Sequence, residues 1–305
     1  MLANDHTSRL ERARLSLEGL SVGDAFGQRY FGDIGVAFGR IERRQLAPAP
    51  WAVTDDTEMS IAIYDVLSRK GQIDRDLLAN AFLRRYQHDP RRGYGAGAHS
   101  LLEGLVMGLP WHLAAPQLFS GQGSKGNGGG MRSAPIGAYF ADDLDALVAN
   151  ARASAEVTHA HPDGQAGAIA IALGAAYACL HRAQDERVRS QTLLQFVLER
   201  VPSGETQQML VRANGLPTGS SMELAASALG TGDQVLSSDT IPFALWCAQQ
   251  HLEQFEEALW LTVSGLGDRD TTCAMVGGIV VCTGASIPAE WLACREALRF
   301  DEGLS

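Results

Sequence analysis

Apolar side chains return every three or four positions through most of this 305-residue chain. Runs that alternate apolar with polar residues, as a half-buried strand would, are nearly absent. In residues 8–20, Leu10, Ala13, Leu17 and Leu20 share one helical face behind Ser8, a candidate cap. Similar spacing predicts helices over 59–67, 77–86, 144–155, 167–180, 191–201, 222–229, 241–251 and 255–263. Several are rich in alanine and other small residues, which suits helices packed closely on helices. The expected fold class is therefore all-α, a compact orthogonal multi-helix bundle. No internal repeat or clear linker divides the sequence, so residues 1–305 read as one domain. The tract 203–221 contains Pro, Gly, Ser and Asn and reads as a long surface loop or a partly helical connection.

With 46% hydrophobic and 20% charged residues, the chain is too apolar to be disordered. Its apolar stretches read as too interrupted by polar residues to span a bilayer, so no membrane partner is expected. A formal charge of −10 argues against nucleic acid held through its phosphates. A small anionic ligand stays open, because a few amides and metal ions can hold one. The five cysteines are odd in number and form no C-x-x-C pair. They read as reduced, mostly buried thiols of a cytoplasmic protein. The first ten residues contain no apolar core of the signal-peptide type.

Two acidic motifs stand at the mouths of apolar helices. In WAVTDDTEM (51–59), Thr54 is a good N-cap, and Asp55 and Asp56 fall in the first turn, where the helix dipole favours negative charge. A capped helix start is the plain reading. Two adjacent carboxylates at such a place nevertheless repel each other unless something positive sits there. In SGLGDRDTTCAMVGGIVVCTGA (264–285), Asp268 and Asp270 precede a helix of small and apolar residues, with Thr271 and Thr272 adding hydroxyls. Gly277 and Gly278 each cost about 1 kcal/mol relative to alanine inside a helix, so close packing against a neighbour is expected there. If the two helices are neighbours, four carboxylates and two or three hydroxyls converge on one point. An all-oxygen site of that kind suits Mg²⁺, Mn²⁺ or Ca²⁺. Cys or His pairs at zinc spacing are missing.

The tract SGQGSKGNGGG (120–130) holds six glycines in eleven positions and then Met131 and Arg132. It is either a flexible linker or a loop entering a site, and the small-residue helical pattern that resumes directly after it favours the loop. Gly126, Asn127, Gly128, Gly129, Gly130 and Met131 would let backbone approach a ligand, and amides that open a helix bind phosphate oxygens. The tract is not a Walker A loop, since Lys125 follows Ser124 and no Ser or Thr comes after it. In VTHAHPD (157–163), two histidines precede a helix. His159 reads as the better ligand contact, and His161 is equally suited to capping.

Taken in order, GLSVGDAFG (19–27), TDDTEM (54–59), GNGGGMRSAPIG (126–137), THAHPDG (158–164), DTIPFALW (239–246) and GDRDTT (267–272) resemble the ADP-ribosylglycohydrolase family. The six stretches span nearly the whole chain. The resemblance implies a metal-lined cleft with two divalent cations, Mg²⁺ or Mn²⁺, held by Thr54, Asp55, Asp56, Asp268, Asp270 and Thr271. It implies hydrolysis of the bond between ADP-ribose and an acceptor, with Asp55 or Asp56 taking the proton of the attacking water. The substrate would be an ADP-ribosylated protein, arginine-linked in first place, or a small ADP-ribose conjugate. The loop 126–131 would hold the diphosphate, with Asn127 and the loop amides as donors and His159 facing the same ligand. Asp24 matches a family position near the site, as a substrate contact or as a residue that only orders the loop, and Tyr94 is expected as a wall of the cleft near the adenine. Asp33 and Glu42 are candidates for protonating the leaving group.

One departure is Arg269, where the family commonly has Thr. An arginine there can pair with a neighbouring carboxylate, contact substrate or point away. A non-catalytic ADP-ribose-binding module is the alternative function. Retention of all six metal positions speaks against it. A helical isoprenoid synthase would want D-D-x-x-D, and here the fifth position is Met59.

Overall fold

The computed structural model describes residues 2–300. Among them the α-helices are, in chain order, α1 (His6–Gln28), α2 (Ile34–Glu42), α3 (Asp55–Lys70), α4 (Arg75–His88), α5 (Ala96–Val106), α6 (Trp111–Gly121), α7 (Gly128–Met131), α8 (Ala134–Tyr139) and α9 (Leu144–Glu156). They continue with α10 (Pro162–Arg182), α11 (Leu193–Leu198), α12 (Glu205–Asn214), α13 (Met222–Leu229), α14 (Ser237–Gln250), α15 (Phe255–Val263), α16 (Arg269–Val280) and α17 (Ala289–Cys294). The fold is all-α. The β pairing among the described residues is confined to two isolated bridges, Trp51 with Arg295 and Gly126 with Leu236.

Each helix expected from periodicity overlaps an observed one. The elements that periodicity does not show bury little. α2 buries only Ala37 and Ile41, α5 only Leu101 and Leu102, and α6 only Ala114 and Ala115. They are nine to eleven residues long, and several of their apolar side chains, Ile34, Val36, Phe38, Val106 and Leu113, are exposed. The tract 203–221 is not one long loop: α12 occupies its middle, and Thr206, Leu210 and Ala213 are the buried face that holds it.

α10 lies at the centre, packed against α7, α8, α9, α11, α14 and α16. It is 21 residues long and apolar enough to cross a membrane by length and composition, which corrects the expectation that no stretch is. Within the fold 89% of its apolar window is buried, and a helix enclosed on all sides needs no polar face. α8 approaches it so closely that a Cβ on Gly137 would fall 1.9 Å from the Ala172 carbonyl.

α1 and α16 form the tightest seam. Gly19, Gly23 and Gly27 recur every fourth residue and so line one helical stripe. A Cβ at these positions would lie 2.4 Å from the Gly277 carbonyl, 2.0 Å from that of Cys273 and 2.1 Å from that of Arg269. As numbers rise along α1 they fall along α16, so the helices are antiparallel and in backbone contact. The close packing expected around Gly277 and Gly278 is thus met by α1, which runs on past the expected residues 8–20 to Gln28. Phe26 and Tyr30, near the end of α1, are anchored among Trp51, Trp260 and Trp291, with Phe26 stacked on Trp291 at 4.4 Å. The seam sets the last turns of α1 beside the first turn of α16.

Candidate active site

Three helix ends meet at one place. The start of α3 joins the α1–α16 seam through Asp24, which is wholly buried. Its carboxylate accepts from the Thr54 amide at 2.9 Å, the Thr54 hydroxyl at 2.8 Å, the Thr57 amide at 3.2 Å and the Thr57 hydroxyl at 2.5 Å. Thr54 caps α3 as expected, its Oγ1 accepting from the Asp56 amide at 3.2 Å. Asp24 therefore ties the α3 N-terminus to α1 from within the acidic cluster. Of the two expected roles, these bonds display the ordering one.

The two acidic motifs converge. Thr271 Oγ1 lies 3.4 and 3.3 Å from the two Asp56 oxygens, across 215 positions of sequence. Ligand oxygens of Asp24, Asp56 and Asp270 all fall within 4.8 Å of one another. Burial pushes Asp55 up to about 7, and repulsion from Asp24 and Asp268 adds to it. Burial likewise lifts Asp24 to about 6. Asp56 and Asp270 are driven well above the ordinary carboxylate range, first by burial and then by the charges of Asp270 and Asp268 respectively. Burial also raises Asp268, opposed by its hydrogen bonds with Asp270, Asn127 and Thr271. Crowded, buried carboxylates that resist ionising fit a site built to be neutralised by cations. The donors are carboxylate and hydroxyl oxygens without thiol or imidazole, the set preferred by hard divalent ions. Of the expected ligands, Asp56 and Asp270 fall in the group that could hold a divalent cation, together with Asp24, and Thr271 Oγ1 lies beside Asp56.

The glycine loop closes over this cluster from α14 and α10. The Asn127 amide donates to the Val235 carbonyl at 3.1 Å, and Ser237 Oγ donates to the Gly126 carbonyl at 2.9 Å. The Asn127 carboxamide donates to Asp268 at 2.6 Å and to Thr240 Oγ1 at 3.1 Å. Both of its carboxamide donors are thus engaged within the protein. Gly126 and Gly128 lie against the ring of His159: a Cβ on either would come within 3.5 Å of Nε2. Gly129 faces the Gly164 carbonyl and Ala155, whereas a Cβ on Gly130 would strike Ile241 at 2.5 Å, so these two serve packing. Met131 is buried beside them.

Arg132, which spacing does not mark for the site, is almost wholly buried. It donates to the Gly128 carbonyl at 2.9 Å, the Ser154 carbonyl at 3.2 Å and Thr158 Oγ1 at 2.7 Å, and it stacks over Phe82. Burial lowers it to about 9, against the pull of Asp55 and Asp56. A single charge in the otherwise small and apolar MRSAPIGAYF is the signal that marks it. Thr57, Thr158 and Thr240 are further organising residues that spacing does not reveal.

Tyr94 is not an open wall. It is 4% exposed, edge-on to Tyr86 and His99, with its hydroxyl buried and making no hydrogen bond. The neighbouring Gly93 and the Arg92 carbonyl border Asp55, whose amide donates to that carbonyl at 2.7 Å. Arg269 points away from the carboxylates: it donates to the Tyr30 carbonyl at 2.7 Å and the Leu266 carbonyl at 2.6 Å, and it lies over Phe31. Asp33 caps α2 and Glu42 is exposed at that helix's end. His161 caps α10.

An all-α scaffold with acidic motifs meeting at helix ends is the class that fold and site define. The family model for ADP-ribosylglycohydrolase matches residues 5–303, and the chain belongs to that family of hydrolases acting on ADP-ribose glycosidic bonds. ADP-ribosylhydrolase ARH3 of Homo sapiens is 30% identical, covering 88% of this chain and 84% of its own length. ADP-ribosylarginine hydrolase Tri1 of Pseudomonas putida is 27% identical over 93% of this chain and 74% of its own. An Archaeoglobus fulgidus protein described as uncharacterized is 28% identical over 97% and 95%. A solved structure described as an ADP-ribosylglycohydrolase-related protein complex superposes with a TM-score of 0.66 at 24% identity, over 94% of this chain and 93% of that one, and supports the fold.

Proposed function

We propose that this chain, acting as one domain, releases ADP-ribose from an acceptor by hydrolysis that depends on two divalent cations, Mg²⁺ or Mn²⁺. The observation that carries this reading is the convergence of Asp24, Asp56 and Asp270 within 4.8 Å, with Thr271 Oγ1 beside Asp56. Thr54, Asp55, Asp56, Asp268, Asp270 and Thr271 would hold the cations. When bound, the cations would orient ribose hydroxyls and a water toward the anomeric carbon. Asp55 is the more exposed of the adjacent pair, at 8% against 1% for Asp56, and it accepts the proton from the attacking water. Asp24 keeps the α3 end in register with α16, and Asn127 holds Asp268 from the other side. The loop 126–131 and His159 receive the diphosphate through the Nε2 side of the ring and free loop amides.

Arginine is the acceptor we put first. The Pseudomonas putida relative is described as an ADP-ribosylarginine hydrolase, and a guanidinium leaving group suits an acidic protein. The substrate is then an ADP-ribosylated protein, with small ADP-ribose conjugates second. Cytoplasmic placement is supported by five free cysteines, four of them buried.

The test is ADP-ribose release from arginine-, serine- and O-acetyl-linked substrates, with Mg²⁺, with Mn²⁺ and with chelator. Turnover is expected only with metal and fastest on the arginine linkage. Asp270→Ala and Asp55→Ala should each lose activity by at least about a hundredfold while keeping the helical circular dichroism. Wild-type rates in either purified variant overturn the site. Full activity in chelator overturns the metal requirement.

A further inference from the structure

We propose that Arg132 and Thr158 are positioning residues that hold His159 as a neutral ring with its proton on Nε2, presenting that N–H to an anionic oxygen beside Gly126 and Gly128. The argument is one of donors and acceptors. A guanidinium only donates, so the Arg132 contact of 2.7 Å occupies a lone pair of Thr158 Oγ1. The same hydroxyl lies 2.6 Å from His159 Nδ1. Thr158 is buried at 4% exposure and its hydroxyl has one proton to give. If Nδ1 carried a proton, two donors would point at Thr158 and its own proton would have no acceptor there. With Nδ1 bare, Thr158 Oγ1 accepts from Arg132 and gives its one proton to Nδ1, and the ring proton resides on Nε2.

That nitrogen faces the loop. Cβ atoms at Gly126 and Gly128 would sit 3.5 and 3.4 Å from Nε2, so the absence of side chains lets the loop backbone lie close to this edge of the ring. Arg132 also grips the Gly128 carbonyl at 2.9 Å, so one buried side chain fixes both the ring and the loop it faces. Burial, then the charge of Arg132, pushes His159 down to about 3, which keeps the ring neutral through the physiological range. His159 is thereby a fixed donor and not a proton shuttle. An oxyanion, here a diphosphate oxygen, is the chemistry such a donor selects. The identity of that ligand rests on the function proposed above; the tautomer does not.

The experiment reads both parts separately. Ring ¹⁵N spectra of the labelled full chain, assigned by the signal lost in His159→Gln, should show Nε2–H and bare Nδ1 across neutral pH. Thr158→Val keeps the volume and removes the hydroxyl, so the ring should become a tautomer mixture. ADP-ribose and inorganic pyrophosphate should then bind roughly tenfold more weakly. In turnover, KM should rise with kcat little changed, because the contact is alike in ground and transition states. Thr158→Ser restores the hydroxyl and should recover both tautomer and affinity, which a merely space-filling threonine would not predict. A wild-type ring protonated on Nδ1, or a valine variant with wild-type tautomer and affinity, overturns the proposal. Wild type that shows Nε2–H yet binds neither probe overturns the diphosphate assignment and the function it rests on, while the spectrum upholds the positioning by Arg132 and Thr158.

Discussion

Glycine does two different jobs in the two halves of this site. Along α1 and α16, Gly19, Gly23, Gly27 and Gly277 let two helix backbones touch, with would-be Cβ atoms 2.0–2.4 Å from carbonyl oxygens. Nothing there is open to a ligand; the glycines set where the acids stand. In the loop, Gly126 and Gly128 lie against the Nε2 edge of His159, and the nearest atoms to their would-be Cβ positions are 3.2 Å away. The first group is sterically over-determined and the second is merely permissive. A glycine-rich segment is thus read correctly only when what stands opposite each Cα is known.

That contrast is broken most severely at Gly23. A methyl there meets the Cys273 carbonyl, a backbone atom that can move only with its helix. Gly23→Ala should cost about 2–3 kcal/mol through overpacking, outweighing the propensity gain of about 1 kcal/mol, and should lower activity with stability. Thermal melting checks this; an unchanged or raised Tm would mean the seam is looser than described.

The next largest effect concerns the acids that the seam brings together. In chelator, Asp24 and Asp55 keep pKa values of about 6 and 7 in the folded chain, against about 3.9 for an unfolded aspartate. Between those limits the folded state binds more protons than the unfolded, so stability falls as pH rises from about 4 to 7. Saturating Mg²⁺ or Mn²⁺ should flatten that slope and raise Tm, by about 2.7 kcal/mol of stabilisation at a hundredfold excess over Kd. Melting curves at several pH values, with and without metal, decide it: identical slopes would remove the cluster's claim to cations.

Gly128→Ala sharpens the permissive side and has the smallest effect. The added methyl would lie 3.2 Å from His159 Cε1, so the ring must give by a few tenths of an ångström. Stability should change by less than about 1 kcal/mol, while ADP-ribose affinity drops several-fold through the displaced donor. Calorimetric titration beside a melt separates the two. A loss of stability as large as that of Gly23→Ala would erase the distinction between the regions.

Much of this was legible in the chain. Periodicity exposed the well-buried helices, and Thr54, Asp55 and Asp56 announced a capped acidic helix start. Asp268 and Asp270 announced another. α2, α5 and α6 escaped because each buries only two residues. Asp24 was visible only as part of a motif, since its partners, Thr54 and Thr57, lie 30 and 33 positions away. Tyr94 and Asn127 were placed near the ligand, yet one is sealed between rings and the other holds Asp268, because residue type does not reveal direction.

From the sequence alone came the all-helical class, the two acidic helix starts, the glycine loop and the resemblance that joins them, all of which depend on short-range spacing and residue chemistry. Only the tertiary structure decided that α1 and α16 run antiparallel in contact, that Arg269 turns away toward Tyr30, and that Arg132 reaches Thr158 and the loop. Those facts depend on which atoms meet across long separations in the chain, and packing, not local preference, chooses them.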